Sequence, residues 1–349
     1  MIILESCIEE SLIEVEIIED VDRIMEKIQL GTSIPISENF TFKNSKSSIF
    51  RDYLYAAFKQ YNIKAILLKI NEKIIGITII FNVDFENLYF GFFGVETHTP
   101  NRIQFLINNL KKYGKKNNFK FIKGPINIPP IIFGFGFLAK SEDTKSYIGR
   151  PINSLNYYKK FMDNRFYPKH RLDTYFFRLI KIDLNCLDYD FREYKFLNLR
   201  ENELSLYREK ILLLHLSNMP NFTQITPNPQ KNAQLIYNYL IDNIESCNIW
   251  IIKHKSSNDI IGCGYSVTDP ITKDIISFEQ FIIKKSYQGK GLAIFMSFKI
   301  MNHLLKYDKF KILNGMMSIE YNNKKMINFC KKYLNALKRR RYFVFEYKI

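Results

Sequence analysis

Residues 281–300, FIIKKSYQGKGLAIFMSFKI, hold the most informative pattern in the chain. An apolar stretch ending at Lys285 predicts a strand, and Gln288, Gly289, Lys290 and Gly291 predict a tight turn. From Leu292 to Lys306 the apolar residues recur at three and four, as an amphipathic helix requires. Glycine at 289 and 291 removes β-carbons that would hold backbone N–H groups away from a ligand. The helix N-terminus directs unpaired donors and a partial positive charge outward, and Lys290 adds a full charge. The ensemble suits a pyrophosphate. Two nucleotide signatures are excluded: GxxxxGK[ST] is absent, and GxGxxG fails because Ile294 stands at its third glycine. The competing reading is an ordinary strand-to-helix turn.

Outward from this segment the same order of elements occurs twice. In the first half, 65-AILLKINEKIIGITIIF-81 reads as two apolar strands across a polar Asn-Glu-Lys turn, and 249-IWIIKHKSSNDIIGCGYSV-267 reads the same way in the second. Ile-Ile-Gly triplets begin at Ile74 and Ile260. Each hairpin is followed by a strand, 88-LYFGFFGVE-96 or 276-ISFEQFIIKK-285, then a helical pattern over 101–113 or 292–306, then a strand in 119–126 or 309–317. Helical stretches precede each hairpin, clearest at 204–219. The expected fold class is α+β (mixed α/β): two tandem units, each a mostly antiparallel central sheet flanked by helices. The join is expected near residue 190, giving domains 1–190 and 191–349. On that division Tyr175–Ile182 closes the first unit, and 195-KFLNLRE-201 opens the second.

At 349 residues, two domains of ordinary size are the default. Hydrophobic content of 46% and charged content of 25% exclude a disordered or collagen-like chain. No run reaches the roughly 18–20 apolar residues of a membrane helix. The acidic start, MIILESCIEESLIEVEIIED, does not read as a secretory signal, so a cytoplasmic location is expected. Cys7, Cys186, Cys247, Cys263 and Cys330 contain no CxxC pair, and the five histidines are scattered, so neither a disulfide framework nor a metal site is expected. The formal charge of +16, despite nine acids against two bases in residues 1–30, implies an anionic partner: nucleic acid, a phosphorylated cofactor, an acidic peptide or a lipid surface. A compositional bias toward Ile, Lys, Asn, Phe and Tyr accounts for some of the lysines.

Gln288-Gly289-Lys290-Gly291-Leu292-Ala293 matches the Q/R-x-x-G-x-G/A acyl-CoA-binding motif, and the whole segment resembles motif A of the GCN5-related N-acetyltransferase (GNAT) superfamily. The resemblance implies that residues 288–293 hold the CoA pyrophosphate. It also implies that Phe281, Ile282 and Ile283 pair with the pantetheine through the backbone of a strand splayed from its neighbour. Glu279, two residues before Phe281 on one strand face, stands where many members carry a carboxylate that activates the acceptor amine. Its competing reading is a strand-edge carboxylate paired with a lysine. Downstream, 318-SIEYNNKKMINFCKKYL-334 resembles the family's final strand and helix, with Asn323 at the usual asparagine. Cys330 replaces the tyrosine that often serves as general acid, and could donate a proton or carry the acyl group. Its plain alternative is a small buried hydrophobe. Tyr287 reads first as a packing residue, Tyr321 and Tyr333 as core or surface aromatics with a general acid as the alternative, and Arg339-Arg340-Arg341 as a solvated charge run with contact to an anionic acceptor as the alternative.

The first half resembles a degenerate second unit, because its equivalent turn, 95-VETHTPNRIQ-104, contains no glycine. Gly124-Pro125, 133-FGFGF-137 and 156-NYYKKFMDNRF-166 look like the N-terminal part of large tandem GNAT-like proteins. The implied function is N-acyl transfer from acyl-CoA, acetyl or longer, directly to a primary amine of a small molecule, peptide or protein. Acyl-CoA serves as co-substrate, and no covalently bound cofactor is expected. The alternatives are a non-catalytic CoA-binding or scaffold protein, or a basic protein associated with nucleic acid.

Overall fold

The computed structural model describes residues 12–31, 35–37, 40–41, 48–96, 100–186, 189–218, 225, 227–270, 272–307 and 314–349. Chain contacts divide it into two units, one of residues up to Arg171 together with Arg340–Ile349, the other Leu172–Arg339.

In the first unit, β1 (Glu14–Ile18) precedes α1 (Val21–Gly31), a small pair β2 (Pro35–Ser37) and β3 (Phe40–Thr41), and α2 (Ser48–Tyr61). The hairpin read from sequence forms as β4 (Lys64–Ile70) and β5 (Lys73–Asn82). Asn71 and Glu72 both take positive φ at its tip, the turn whose twist matches that of paired strands. There follow β6 (Asn87–Val95), α3 (Pro100–Lys116), β7 (Phe121–Gly124), α4 (Pro130–Phe133), β8 (Phe137–Ser141) and α5 (Leu155–Asp163). The sheet order is β1-β4-β5-β6-β7, continued by the C-terminal strand β15 (Leu337–Lys348), which also pairs with β8. All pairs are antiparallel except β6 with β7. Buried aromatics fill the core, with Phe161 stacked on Phe90 at 5.3 Å.

In the second unit, residues 172–178 of β9 (Tyr167–Arg178) pair with β14 in the strand order β9-β14-β13-β12-β11-β10. Its elements are β10 (Tyr194–Leu199), α6 (Glu201–Asn218), α7 (Pro229–Asp242), β11 (Cys247–His254), β12 (Ile260–Thr268), β13 (Ile275–Ile283), α8 (Leu292–Tyr307), β14 (Asn314–Glu320) and α9 (Lys324–Leu334). Among the described strands of this unit, only β13 with β14 is parallel. Alternation along β12 and β13 gives the sheet two covered faces. One carries α8 and α9 over Ile276, Phe278, Phe281 and Ile283, and the other carries α6 and α7 over Cys263 and Tyr265.

The expected join near residue 190 does not coincide with this partition. Residues 172–178 pair with β14, from Leu172↔Glu320 to Arg178↔Asn314, so Tyr175–Ile182 does not close the first unit. The last ten residues return to that unit, where Phe345–Lys348 pair with β7. The sequence reading also missed β15. Arg339-Arg340-Arg341 is not a solvated run: Arg340 is fully buried and ion-paired with Asp143 at 3.1 Å.

Candidate functional site

The second unit's parallel pair sets the geometry. β13 and β14 pair through Ile275↔Asn314, Ile276↔Gly315 and Ser277↔Met316, then part, although both strands continue to Ile283 and Glu320. Phe278–Ile283 remain held on the other side by β12. Backbone donors and acceptors of this stretch therefore face the gap between the parting strands, an arrangement able to pair with an extended amide-containing ligand.

At the end of β13 the chain makes the turn expected from sequence. The strand stops at Ile283, and a short 3₁₀ turn covers Lys285–Tyr287. Gln288 closes the turn, its Nε2 donating to the Ile283 carbonyl at 2.9 Å, while Lys285 N–H donates to Asn218 Oδ1 on α6 at 2.9 Å. Gly289 and Gly291 have φ of +83° and +71°, conformations that cost an L-residue. Gln288, Gly289 and Lys290 are exposed, and Lys290 Nζ lies 5.2 Å from the Tyr287 ring centre. Gly291 begins α8, its carbonyl accepting from Phe295 N–H at 3.0 Å. Leu292 is buried, and Ala293 is half-buried with its carbonyl accepting from Ser297 Oγ at 2.8 Å. The N–H groups of the first helical turn thus lie beside an exposed glycine turn with Lys284, Lys285 and Lys290 around it. Tyr189, which sequence reading missed, packs over Gly291: a β-carbon there would lie 2.6 Å from the ring.

Glu279 occupies a bulge. β12 and β13 pair as Tyr265↔Gln280 and then Ser266↔Phe278, leaving Glu279 as the additional residue. This corrects the expectation that Glu279 and Phe281 share a face. Phe281 packs on the α8 side, whereas Glu279 accepts a hydrogen bond from Ser277 Oγ and lies near Tyr239 of α7 and Cys247. Burial, with the Glu279 charge added, pushes the Cys247 thiol up to about 12. Ser277 was legible as the preceding residue of the same face, but nothing in the sequence singled it out.

Two carried-over residues sit elsewhere. Asn323 caps α9, its Oδ1 accepting from Met326 N–H at 3.3 Å. Cys330 is wholly buried, its sulfur 3.8 Å from that of Met317, and burial pushes its thiol up to about 12. It therefore keeps its proton and occupies a packing position. Tyr333 packs between Phe298 and Phe329, and Tyr287 lies against His254 and Tyr194. Tyr321 is partly exposed beneath Lys324.

The first unit repeats the bulge and the early parting. β6 and β7 pair from Asn87↔Phe121 to Tyr89↔Lys123 only, and the β5–β6 register shifts between Ile77↔Gly94 and Ile79↔Gly91. Aligning Gly76↔Val95 on Gly262↔Ile283 places Gly91 where Glu279 stands and Phe92 where Gln280 stands. Here the chain's own residues meet the parted strand. Ile126 N–H donates to the Phe90 carbonyl at 2.8 Å, and Phe92 N–H donates to Asn127 Oδ1 at 2.6 Å. Of the glycine-free segment 97-THTPN-101, residues 97–99 lie outside the described residues.

Comparison with solved structures identifies this architecture as the tandem GNAT fold. A tandem GNAT protein from the clavulanic acid biosynthesis pathway superposes with a TM-score of 0.59 at 8% identity, over 96% of this chain and 98% of that one. A GCN5-related glucosamine N-acetyltransferase region of a fungal multi-domain GH3 β-N-acetylglucosaminidase gives 0.56 at 11% identity, over 96% of this chain and 38% of that one. A GCN5-related N-acetyltransferase from Sphaerobacter thermophilus gives 0.52 at 9% identity, over 81% and 80%. No family model matches the sequence, and no curated protein matches it. The expected α+β class and tandem arrangement thus hold at the level of the fold. Among the described residues, no helix is long and apolar enough to cross a membrane.

Proposed function

We propose that the second unit is an acyl-CoA-dependent N-acyltransferase acting on a primary amine. The observation that carries this is the parting of β13 from β14 after Ser277↔Met316, with the Gly289–Gly291 turn at the end of the freed strand. Pantetheine pairs with the backbone of Phe281–Ile283, and the pyrophosphate rests on the N–H groups of residues 289–293 with Lys290 beside it. Gln288 holds the turn through the Ile283 carbonyl rather than reaching the ligand.

The amine approaches from the α6–α7 face, where Glu279 projects. Its nitrogen attacks the thioester carbonyl, a C–N bond forms and the C–S bond breaks. The proton lost from nitrogen passes to Glu279, and the CoA sulfur leaves as thiolate. A thiol of ordinary acidity, with a pKa of about 8.5, leaves near neutrality with little need of a proton donor, so no role falls to Cys330. The partly positive turn suits the anionic CoA and accounts for part of the +16 charge.

The first unit is proposed to be structural, since its parted strand already bonds to Ile126 and Asn127 and glycine replaces the carboxylate.

The test mixes acetyl-CoA with simple primary amines and follows thiol release. Wild type should turn over, and Glu279→Gln should lose about 10²-fold in kcat with CoA affinity near wild type. Unchanged turnover in Glu279→Gln would assign the base elsewhere.

A further inference from the structure

We propose that Gln280 determines acceptor specificity, its amide carbonyl accepting the second N–H of the primary amine whose first N–H faces Glu279. The inference rests on the acyl-transfer reading and names a residue for which that reading supplies no role. Gln280 is directly paired with Tyr265. Opposed residues of an antiparallel pair project to the same face. The Tyr265 ring lies 6.4 Å from that of Tyr237 on α7, so Gln280 points to the face that Glu279 also addresses.

The Gln280 Oε1 atom is shielded from solvent and has no hydrogen-bond partner among the described residues. Buried acceptors are nearly always paired, and one that is not points to a donor arriving from outside. Its neighbour Glu279 is a second acceptor, already taking one bond from the fully buried Ser277. Two adjacent acceptors suit a group that brings two donors. A neutral primary amine has two N–H bonds, whereas a neutral secondary amine or an alcohol has one. In the first unit, Gly91 and Phe92 stand at the two positions, so both acceptors are missing together.

The experiment uses the full chain, acetyl-CoA as donor, and n-butylamine and N-methylbutylamine as acceptors. It compares wild type with Gln280→Leu, Gln280→Glu and Glu279→Gln. In Gln280→Leu the KM for n-butylamine should rise about tenfold or more, the KM for acetyl-CoA should stay within about twofold, and the preference for the primary amine should shrink. Gln280→Glu keeps an acceptor and should restore most of that preference. Thermal stability of Gln280→Leu should be equal to or above wild type, because an unpaired polar atom has been removed.

An unchanged amine preference in Gln280→Leu, or equal shifts in both KM values, overturns the assignment. So does a Gln280→Leu protein that is less stable than wild type and whose lost preference Gln280→Glu fails to restore. If wild type releases no thiol with either amine, the acyl-transfer reading itself falls; if Glu279→Gln matches wild type, the base lies elsewhere and the paired-acceptor inference falls with that assignment. If those two behave as required and only Gln280→Leu is silent, the inference about Gln280 falls alone.

Discussion

Replacing Gly291 by alanine separates two reasons for a glycine at the proposed phosphate turn. Both Gly289 and Gly291 are left-handed, at +83° and +71°, and an alanine there costs roughly 1–2 kcal/mol. The surroundings differ: a β-carbon at 289 would meet nothing within 4 Å, whereas one at 291 would lie 2.6 Å from the Tyr189 ring. Gly289→Ala should therefore show the backbone cost alone, weakening CoA binding by about 5- to 30-fold where the free alanine turn relaxes from this conformation and must regain it to bind. Gly291→Ala adds displacement of an aromatic ring and should be weaker still. Trimming that ring in Tyr189→Ala/Gly291→Ala should bring affinity back toward the Gly289→Ala level. Gly291→Glu should lose well over tenfold, because it sets a carboxylate against phosphate on top of both effects. Isothermal titration of CoA into the five proteins reads this directly. Equal CoA affinity in wild type and Gly291→Ala would refute the site. A Gly289→Ala protein weaker than Gly291→Ala would refute the account of Tyr189.

Cys330→Ala should retain at least about a tenth of wild-type kcat, measured by thiol release, since a fully buried thiol cannot reach the reacting atoms. His215 lies buried on α6, 3.5 Å from the Tyr237 hydroxyl, and burial lowers its pKa to about 4. Because the unfolded chain binds this proton near 6.5 and the folded one near 4, the contribution is complete above about 6.5 and is lost as pH falls toward 4. Denaturant titrations from pH 7 to 4 should show up to about 3 kcal/mol of loss in wild type that His215→Phe does not show. Arg340→Ala leaves Asp143 without its ion-pair partner of 3.1 Å, so equilibrium unfolding should show a loss of about 3–5 kcal/mol.

The sequence made the parts of the site legible more readily than their placement. A glycine pair before an amphipathic run identifies a strand, turn and helix, and the structure puts α8 at Leu292 as the pattern requires. A bulge carries no such mark. Spacing of two between Glu279 and Phe281 implies one face, but the additional residue at 279 reverses the projection between them. Cys330 has the spacing from Asn323 that its place in the motif demands, yet that spacing says nothing of depth, and the thiol is buried against Met317. β15 was hidden because its charged start does not alternate: Arg340 is buried among unit-one partners while Arg339 is exposed. Tyr189 lies in a connection without periodicity, so only the folded chain reveals that it covers Gly291.

The early parting of the parallel strands belongs to the fold and not to CoA binding, since both units have it and only one has the glycine turn. What the gap does depends on the residue at the Glu279 position. In the second unit the bulged residue is Glu279, whereas in the first the equivalent position is Gly91, paired with Ile79, and the irregularity falls at Phe92 and Phe93. A β-carbon at 91 would fall well inside contact distance of the Ile126 carbonyl, so the approach of Ile126 and Asn127 to β6 requires glycine there. Once the chain crosses the gap, a carboxylate at that position has no room, and once a carboxylate is present the crossing cannot form. Glycine at this position and closure of the gap in the first unit are thus coupled. Restoring chemistry to that unit would take more than Gly91→Glu: the hydrogen bonds from Ile126 N–H to Phe90 and from Phe92 N–H to Asn127 would have to be given up as well.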